Sequence, residues 1–587
     1  MERPHGAALI EQPCAGGRLV KNGKTILSGV DPCRRADSTA DSISITDRTL
    51  YFCPSPVYGY GLSRLLLRLE NEAPSSAVLC VEADSELYEL SCNNIDPILK
   101  ENKKLFITNI YDNEKIYAIV NKNWGARAFR RIELIRFTGG YQLFPQIYDS
   151  LNESLRRNFA NDWSNALTLA KMGRLYIRNF IRNLPLIPQF PSIESLSFGE
   201  APVLVLGAGP SLDKVLNALP KTFKFKIICA DTCLGILKDR NITPDLAVIL
   251  ESQHWNLRDF IGCRGWNVSA AIDLSSLPAS AKKLNGEGFL FFTPWTPLRI
   301  FERLKNAGLL PGIIPPLGSV GLTAVELARR LTNGKIICAG LDFSFTADMY
   351  HARSAPGHRD KLNKQTRLKS ILNNAVFNEF TAAAVSKSGL QVKTSPIMKN
   401  YRNLFEQEFG GDERIFDIEG SGLPLGVKTL SIEEAMEKIT NCPQIFAESS
   451  TEPSNRRFGG EGSPLDFRGD HKERSEEFCP ASFSSTLIPS AISAPPCLCE
   501  NSSGINSFIE NEIKLLEELR NILSGEAAMN TERLGELITE CDYLWAHFPD
   551  YAGGFESGNN PNINDVSFLK RVRIEIDMML KLLVSGF

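Results

Sequence analysis

Between residues 203 and 345 the chain alternates short runs of β-branched and other apolar residues with amphipathic segments of helical length. The runs VLVLGAG, KIICAD, LAVILES, SAAIDL, GFLFFT and KIICAGLDF carry almost no polar alternate positions, the pattern of strands covered on both faces. Strands spaced by helical segments predict a doubly wound, Rossmann-like parallel α/β sheet. Upstream, TLYFCPSPVYGYGLSRLLLRLENEAPSSAVLCVEADSELYELSCN reads as strand, glycine turn, helix (Leu62, Leu65, Leu66, Leu69), strand, acidic residue and helix, a smaller βαβ unit. A helical periodicity on Leu151, Leu155, Phe159, Trp163 and Leu167 breaks at the prolines of LPLIPQFPSIES. The predicted organisation is a polar lead-in (1–46), an N-terminal Rossmann-like domain (47–150), a helical connector (151–200), a central α/β domain (201–447), a Ser/Pro/Gly-rich disordered linker (448–505) and a C-terminal helical domain (506–587). Within the central domain, residues 346–440 are read as a polar loop, a helix around LKSILNNAVFNEFTAAAVSKSG, and the turn-bearing stretch IFDIEGSGLPLGVKTL.

Length agrees with several domains, since 587 residues exceed what one hydrophobic core supports. A net charge of -3 gives no overall electrostatic reason to bind nucleic acid or an anionic membrane. The start of the chain lacks the apolar run of a secretory signal, and no stretch approaches the roughly 20 apolar residues of a spanning helix, so a soluble, cytoplasmic protein is expected. The 14 cysteines are scattered without zinc-ligand spacing and read as buried thiols.

The candidate chemistry begins at Gly207-Ala208-Gly209-Pro210-Ser211, where a strand runs into a glycine turn and a helix. Missing Cβ atoms would let backbone N–H groups approach a phosphate, with Ser211 capping the helix. The turn lacks the third glycine of a dinucleotide fingerprint and the Lys-Ser/Thr of a P-loop, which disfavours dehydrogenases and P-loop phosphotransferases. In a doubly wound sheet ligands gather beyond the carboxyl ends of the strands, which directs attention to Asp231, Glu251 with Ser252, Asp273, Thr293 and Asp342. Asp231 and Glu251 adjoin the glycine turn and are candidates to grip ribose or base. A second small-residue turn, Gly318-Ser319, opens the helical run LTAVELARRL and offers another helix N-terminus to an anion. Of six histidines, His351 and His358 share the polar segment MYHARSAPGHRD with Tyr350, over the expected cleft; an imidazole there would serve as general base. No metal-ligand spacing is evident, and a divalent ion, were one used, would fall to Asp231, Glu251 or Asp342. The YGYG turn with VEAD is read as structural rather than ligand-binding.

These motifs resemble the motility accessory factor glycosyltransferases, which share the central domain of the archaeal hydroxymethylpterin pyrophosphokinase-like proteins. The span from GAGPSLD to GLDFSF carries the likeness, with YGYGLSRLLL, VEAD, EGSGLPLGV and the last helices as weaker support. The central span is also similar to bacterial sialyltransferases that use CMP-activated nine-carbon sugars, in which G-N-G-P-S-L stands where this chain has G-A-G-P-S-L. Ala208 therefore replaces a donor-holding Asn, and Ser344 stands at one of two family tyrosines, while Tyr350 matches the other by spacing. The resemblance implies transfer of a pseudaminic- or legionaminic-type nonulosonic acid from its CMP donor to Ser or Thr of flagellin in flagellar assembly and motility. It implies stabilisation of the leaving phosphate by Gly207 to Ser211, Gly318-Ser319 and Tyr350, a base at His351 or His358, and no obligatory cofactor. Two alternatives stand beside it: an ATP- and Mg²⁺-dependent pterin pyrophosphokinase, and a non-catalytic flagellin-binding assembly factor, which the Ala208 and Ser344 departures would suit.

Overall fold

The computed structural model describes residues 18–125, 127–220, 223–346, 349, 351–368, 381–440, 498–525, 530–551 and 561–586. Two compact units emerge, Met1–Met172 with Leu544–Val572, and Gly173–Tyr543 with Arg573–Phe587. The boundary between them falls inside one long helix, Pro145–Asn183. The proline break foreseen after that helix is a 3-10 turn, Leu184–Leu186.

In the first unit an antiparallel hairpin, β1 (Leu19–Lys21) and β2 (Lys24–Leu27), precedes the helix Pro32–Ser42. The stretch read as a polar lead-in therefore folds from Leu19 onward. Its helix buries only Ala36 and Ala40, a stripe too small to stand out as periodicity, and Asp31 starts it by accepting the Arg34 N–H. Four parallel strands follow, β3 (Thr49–Pro54), β4 (Ala77–Val81), β5 (Leu105–Thr108) and β6 (Arg131–Leu134), in the order β5-β4-β3-β6. In the YGYG turn, a Cβ on Gly59 would meet Ile95 at 2.8 Å and one on Gly61 would meet Phe137 at 2.9 Å. Packing alone demands these glycines, in agreement with the structural reading. Just past β4, Glu82 is buried beneath Tyr148, whose hydroxyl lies 3.3 Å from its Oε1; burial raises this carboxyl to about 7.

The second unit holds a nine-stranded, wholly parallel sheet. Its strands are β7 (Val203–Leu206), β8 (Lys226–Ala230), β9 (Leu246–Ile249), β10 (Ala270–Asp273), β11 (Gly288–Phe292), β12 (Gly312–Ile313) and β13 (Ile336–Ala339), then, after the antiparallel pair β14 (Ala382–Val385) and β15 (Gln391–Thr394), β16 (Ile415–Ile418) and β17 (Lys428–Leu430). All six apolar runs are strands of this sheet, and their side chains with those of the helix Val320–Leu331 form a fully buried core that includes Val205, Ile228, Val248, Val325 and Ile336. The order β12-β11-β10-β9-β8-β7-β13-β16-β17 shows the chain winding outward from β7 to β12, then crossing back to lay β13 on the other side of β7. The switch point lies between β7 and β13.

Two expectations are corrected. The AAAV of the segment read as a helix is strand β14, paired with β15 through a turn that holds Gly389 at φ 77°; residues 369–380 of that segment lie outside the described residues. Hairpin pairing here overrides the helical preference of alanine. The C-terminal helices Leu498–Ser524, Thr531–Glu540 and Val566–Gly586 are present, but the first begins inside the span read as linker, whose residues 448–497 lie outside the described residues. Its Gly504 packs against Leu309, a contact that the Ser- and Gly-rich local sequence does not announce.

Those helices are tied to the sheet domain by Arg303 of the helix Arg299–Asn306. Its guanidinium grips Glu512 in bidentate fashion at 2.6 and 2.9 Å and reaches the Glu540 carboxylate at 2.7 Å. The Glu512 side chain is only 2% exposed and also accepts from the Tyr543 hydroxyl.

Candidate functional site

At the switch point the turns after β7 and β13 press against each other. Gly207 N–H donates to the Ala339 carbonyl and Gly209 N–H to that of Gly340, each at 2.8 Å. A Cβ on Gly340, which sits at φ 70°, would lie 2.1 Å from the Gly207 oxygen, and one on Gly209 would lie 2.6 Å from Asp342 Oδ2. The G-x-G is thus required by strand-end apposition. The Asp342 carboxylate, buried, accepts from Ser211 N–H at 2.7 Å and from Ser211 Oγ at 2.5 Å. Ser211 consequently makes no side-chain cap on the helix Leu212–Ala218. The expected phosphate cradle is corrected here: the Gly207, Gly209 and Ser211 amides are committed to the β13 turn, and an internal carboxylate stands where the anion was expected.

The other turn does converge on the same place. The Leu341 side chain lies between Gly207 and Gly321, whose Cβ positions would be 2.5 and 2.6 Å from its Cδ2. Gly318 at φ 70° brings the chain into the helix Val320–Leu331, and Ser319 at its start makes no side-chain cap hydrogen bond. On the far side of Asp342, its carbonyl accepts from Leu423 N–H at 2.8 Å, so the EGSGLPL turn packs against the β13 turn. Ser344 is buried with its hydroxyl directed to the Ser421 carbonyl at 3.3 Å.

Segment 351–363 packs against the turn after β7. Ala352 N–H donates to the Ala208 carbonyl at 2.8 Å and Arg353 N–H to Asp213 at 3.2 Å, and Asp213 is in turn held by Arg240 at 2.8 Å. The helix Pro356–Asn363 then lays Gly357 on Arg258, with a Cβ position 3.4 Å from the guanidinium. His351 is half-buried and His358 is 7% exposed. Burial, reinforced by Lys361, Arg258 and His358, pushes His351 down to about 3, and burial with Lys361 and Arg353 lowers His358. Both rings are therefore neutral at physiological pH. Tyr350 lies outside the described residues.

Beyond β8, Asp231 is 1% exposed and accepts from Thr232 N–H at 2.8 Å and from Asn256 Nδ2 at 2.9 Å. The Thr232 hydroxyl lies 3.3 Å from both Asp231 Oδ1 and Asp259 Oδ2. Burial first, then the Asp259 charge, raise Asp231 to about 7. The remaining strand-end residues are bound into their own turns. Glu251 Oε1 accepts from Ser252 and Gln253 N–H, and buried Ser252 donates to the Ser275 carbonyl at 2.7 Å. Asp273 accepts from Ser275 and Thr293 N–H, each at 2.7 Å, and burial raises it to about 6. Asp231, Glu251 and Asp342 do not converge, and among the described residues no group of three or more His, Cys, Asp or Glu is arranged to hold a metal ion. No helix of the described residues is long and apolar enough to cross a membrane.

Several residues that position the site carry little sequence signal. Asn179 and Asn183, one turn apart on the helix Pro145–Asn183, each donate from Nδ2 to two carbonyls: Ser252 and Ser275 at 3.0 and 3.2 Å, Leu274 and Ser276 both at 2.9 Å. They clamp the loops after β9 and β10. Two asparagines at i, i+4 in an apolar helical pattern were the available clue. Lys387 and Asp417 form a buried pair at 2.6 Å behind the EGSGLPL turn.

Comparison with known proteins adds three findings. The chain is 29% identical over 555 residues to an uncharacterized protein of Treponema pallidum (strain Nichols), covering 92% of this chain and 89% of that one. Its structure is similar to that of the MAf glycosyltransferase from Magnetospirillum magneticum AMB-1, with a TM-score of 0.49 and 13% identity over 97% of this chain and 90% of the other. Residues 178–348, the span from the last turns of the helix Pro145–Asn183 to just before His351, match the model of the MptE-like 6-hydroxymethylpterin diphosphokinase family. The likeness of the central domain to the hydroxymethylpterin pyrophosphokinase-like proteins, expected from GAGPSLD and GLDFSF, is thereby borne out.

Proposed function

We propose that the protein is a glycosyltransferase that moves a nonulosonic acid from a CMP donor to serine or threonine hydroxyls of flagellin. The observation that carries this reading is the meeting of the Gly207, Gly318-Ser319 and Gly340-Asp342 turns at the switch point, beside a segment bearing two neutral histidines. Departure of CMP leaves positive character at the anomeric carbon and negative charge on the phosphate, so the site must stabilise one anion and take one proton. With the Gly207, Gly209 and Ser211 amides already bonded, the leaving phosphate falls to the Arg258 and Lys361 cations and to the start of the helix Val320–Leu331, which has no side-chain cap. A histidine held near 3 binds a proton too weakly to act as base at neutral pH. A phosphate beside Arg258 and Lys361 would offset the two charges that add to the burial penalty, raising the proton affinity of His351 when the donor is bound. His358, less enclosed by cations, is the alternative base.

The test is the mass of flagellin incubated with purified protein and CMP-nonulosonate. Addition of one or more sugar masses, reduced in His351→Ala or His358→Ala with the fold intact, is the expected result. Unmodified flagellin in every condition overturns the reading.

A second reading, a pterin pyrophosphokinase, is favoured by the family-model match over residues 178–348. It calls for Mg²⁺-dependent ATP binding, and the carboxylates Asp231, Glu251 and Asp342 are each committed to local hydrogen bonds. A non-catalytic assembly factor keeps Ala208 and Ser344 in its favour and is separated from both enzymes by the absence of nucleotide binding.

A further inference from the structure

The antiparallel pair β14 and β15 forms a sheet of its own, apart from the nine-stranded one. Its inner strand is fixed to the chain that leaves the switch point. Phe345 N–H donates to the Lys393 carbonyl at 2.7 Å, and the Thr394 hydroxyl donates to the Phe343 carbonyl at 2.9 Å. The tip is pinned as well, because Lys387 N–H donates to the Gly422 carbonyl at 2.8 Å while its ammonium is buried against Asp417. The outer side of β14 is different. Among the described residues no strand pairs with that side, and no backbone group bonds to it.

The register tells which groups face that side. Opposite residues of an antiparallel pair alternate between exchanging hydrogen bonds and turning their N–H and C=O away from each other. Lys393 directs its carbonyl to Phe345, away from β14, and its partner across the pair is Ala383. Ala383 therefore turns its N–H and C=O outward, and Val385, two residues on, does the same. The bond from Ser386 N–H to the Leu390 carbonyl at 2.9 Å, one residue further, fits this alternation. Ala382 and Ala383 are exposed, and Val385 is 53% exposed. Of the devices that protect an edge, Ala382–Val385 has only its shortness, with no charge, proline or bulge.

We propose that β14 receives an extended polypeptide segment of the acceptor as an added strand. Outward N–H and C=O groups repeating about every 6.8 Å are matched by the main chain of another strand, and a sugar or a nucleotide has no such repeat. The alanines keep the edge low, which leaves room for bulkier side chains on the incoming strand. A second copy of this chain is a poorer occupant. A stable pair of proteins takes roughly 20–30 residues a side, and the four residues of β14 fall far short, whereas a segment that leaves after each turnover needs only a brief hold. Naming the segment as acceptor rests on the glycosyltransferase reading; the strand addition does not.

The test uses the full chain and no donor. Fluorescein-labelled Lys-Thr-Val-Thr-Val-Thr-Lys is titrated by anisotropy, alongside the same peptide N-methylated at two adjacent central residues, which blocks both of its edges and keeps every side chain. Expected are saturable binding of the plain peptide and a loss of at least tenfold on N-methylation. The same loss is expected in Ala383→Pro, whose missing N–H lies outside the β14–β15 ladder, and none in Ala383→Ser, which keeps that N–H. No binding of the plain peptide, or equal binding of the N-methylated one, overturns the proposal. So does undiminished binding in Ala383→Pro, or an equal loss in Ala383→Ser, which marks the hairpin as merely structural. A wild-type dimer in sedimentation velocity that Ala383→Pro abolishes also overturns it, because the edge then belongs to a second copy. Edge-dependent peptide binding without any sugar transfer leaves the added strand standing and removes only the enzymatic reading.

Discussion

Replacing Asp342 tests the claim that the glycine turn is held shut from within. In the wild type its carboxylate accepts two hydrogen bonds from one residue, Ser211 N–H at 2.7 Å and Oγ at 2.5 Å, and both residues are almost completely buried. Hydrogen bonds to a charged group contribute about 1.5–3 kcal/mol each, so Asp342→Ala is expected to lower the local opening free energy of the turn by about 3–6 kcal/mol. Asp342→Asn retains one acceptor oxygen and loses about half of that. Ser211→Ala removes the shorter bond alone, at about 1.5–3 kcal/mol, and combining it with Asp342→Ala costs less than the sum because the two residues share the interaction. Because the chain has two compact units, a single global unfolding curve is a poor readout. Amide hydrogen exchange resolved to segments 203–213 and 336–343 reads the local free energy directly. Loss of protection confined to those two segments, graded Ala over Asn, is the expected pattern. Wild-type protection in Asp342→Ala refutes the reasoning, since the turn would then be held by something other than this carboxylate.

Other substitutions probe the remaining buried charges. Asp231 is raised from its ordinary value of 3.8 to about 7, so its contribution to stability is complete below about pH 4 and is lost as pH rises through about 7. Asp231→Asn should flatten that dependence, worth about 4 kcal/mol over its full range in the second unit and about 3 kcal/mol between pH 5 and pH 8, when opening is followed by hydrogen exchange at those two pH values. Glu82 behaves alike in the first unit, raised from 4.5 to about 7 by burial; its stabilisation is present below about pH 4.5 and fades toward pH 7. Glu82→Gln should remove a slope of about 3 kcal/mol, and a slope that persists assigns it to another group. Arg303→Ala strands the buried Glu512 carboxylate and should release the C-terminal helices at a cost of about 3–5 kcal/mol. Limited proteolysis checks this by cutting within Leu498–Ser524, and restored resistance in Arg303→Met/Glu512→Leu would show that the uncompensated charge was the cause.

The parts of this molecule that could be read from its sequence are those in which one physical requirement dominates. The strands β7 to β11 and β13 are buried on both faces, so nothing polar interrupts them and their runs are unmistakable. The hairpin at Leu19–Leu27 and the helix Pro32–Ser42 escape notice because they are short and bury few large side chains. The GAGPS turn shows a different limit. A missing Cβ serves equally to admit a phosphate or a neighbouring strand end, and only the position of Gly340 and Asp342, more than a hundred residues away, decides between them. Asp342 and Ser211 are each legible, as a strand-end carboxylate and as a helix-cap serine, whereas their pairing is not. Asn179, Asn183, Asn256 and Asp259 act through long-range contacts with loops that local pattern does not reveal. The histidines stand out by their scarcity, but their low proton affinity comes first from burial, and then from Lys361 with Arg258 at His351 and with Arg353 at His358, all set by long-range packing.

Calorimetric titration of the full chain with CMP tests the central claim most directly, that a cytidine nucleotide binds at the switch point beyond the carboxyl ends of β7 and β13. Saturable binding without added metal, weakened at least tenfold in Arg258→Gln and in Lys361→Ala, is the result expected. Absence of any heat with CMP, together with Mg²⁺-dependent binding of ATP, would contradict it and place the protein with the pterin pyrophosphokinases.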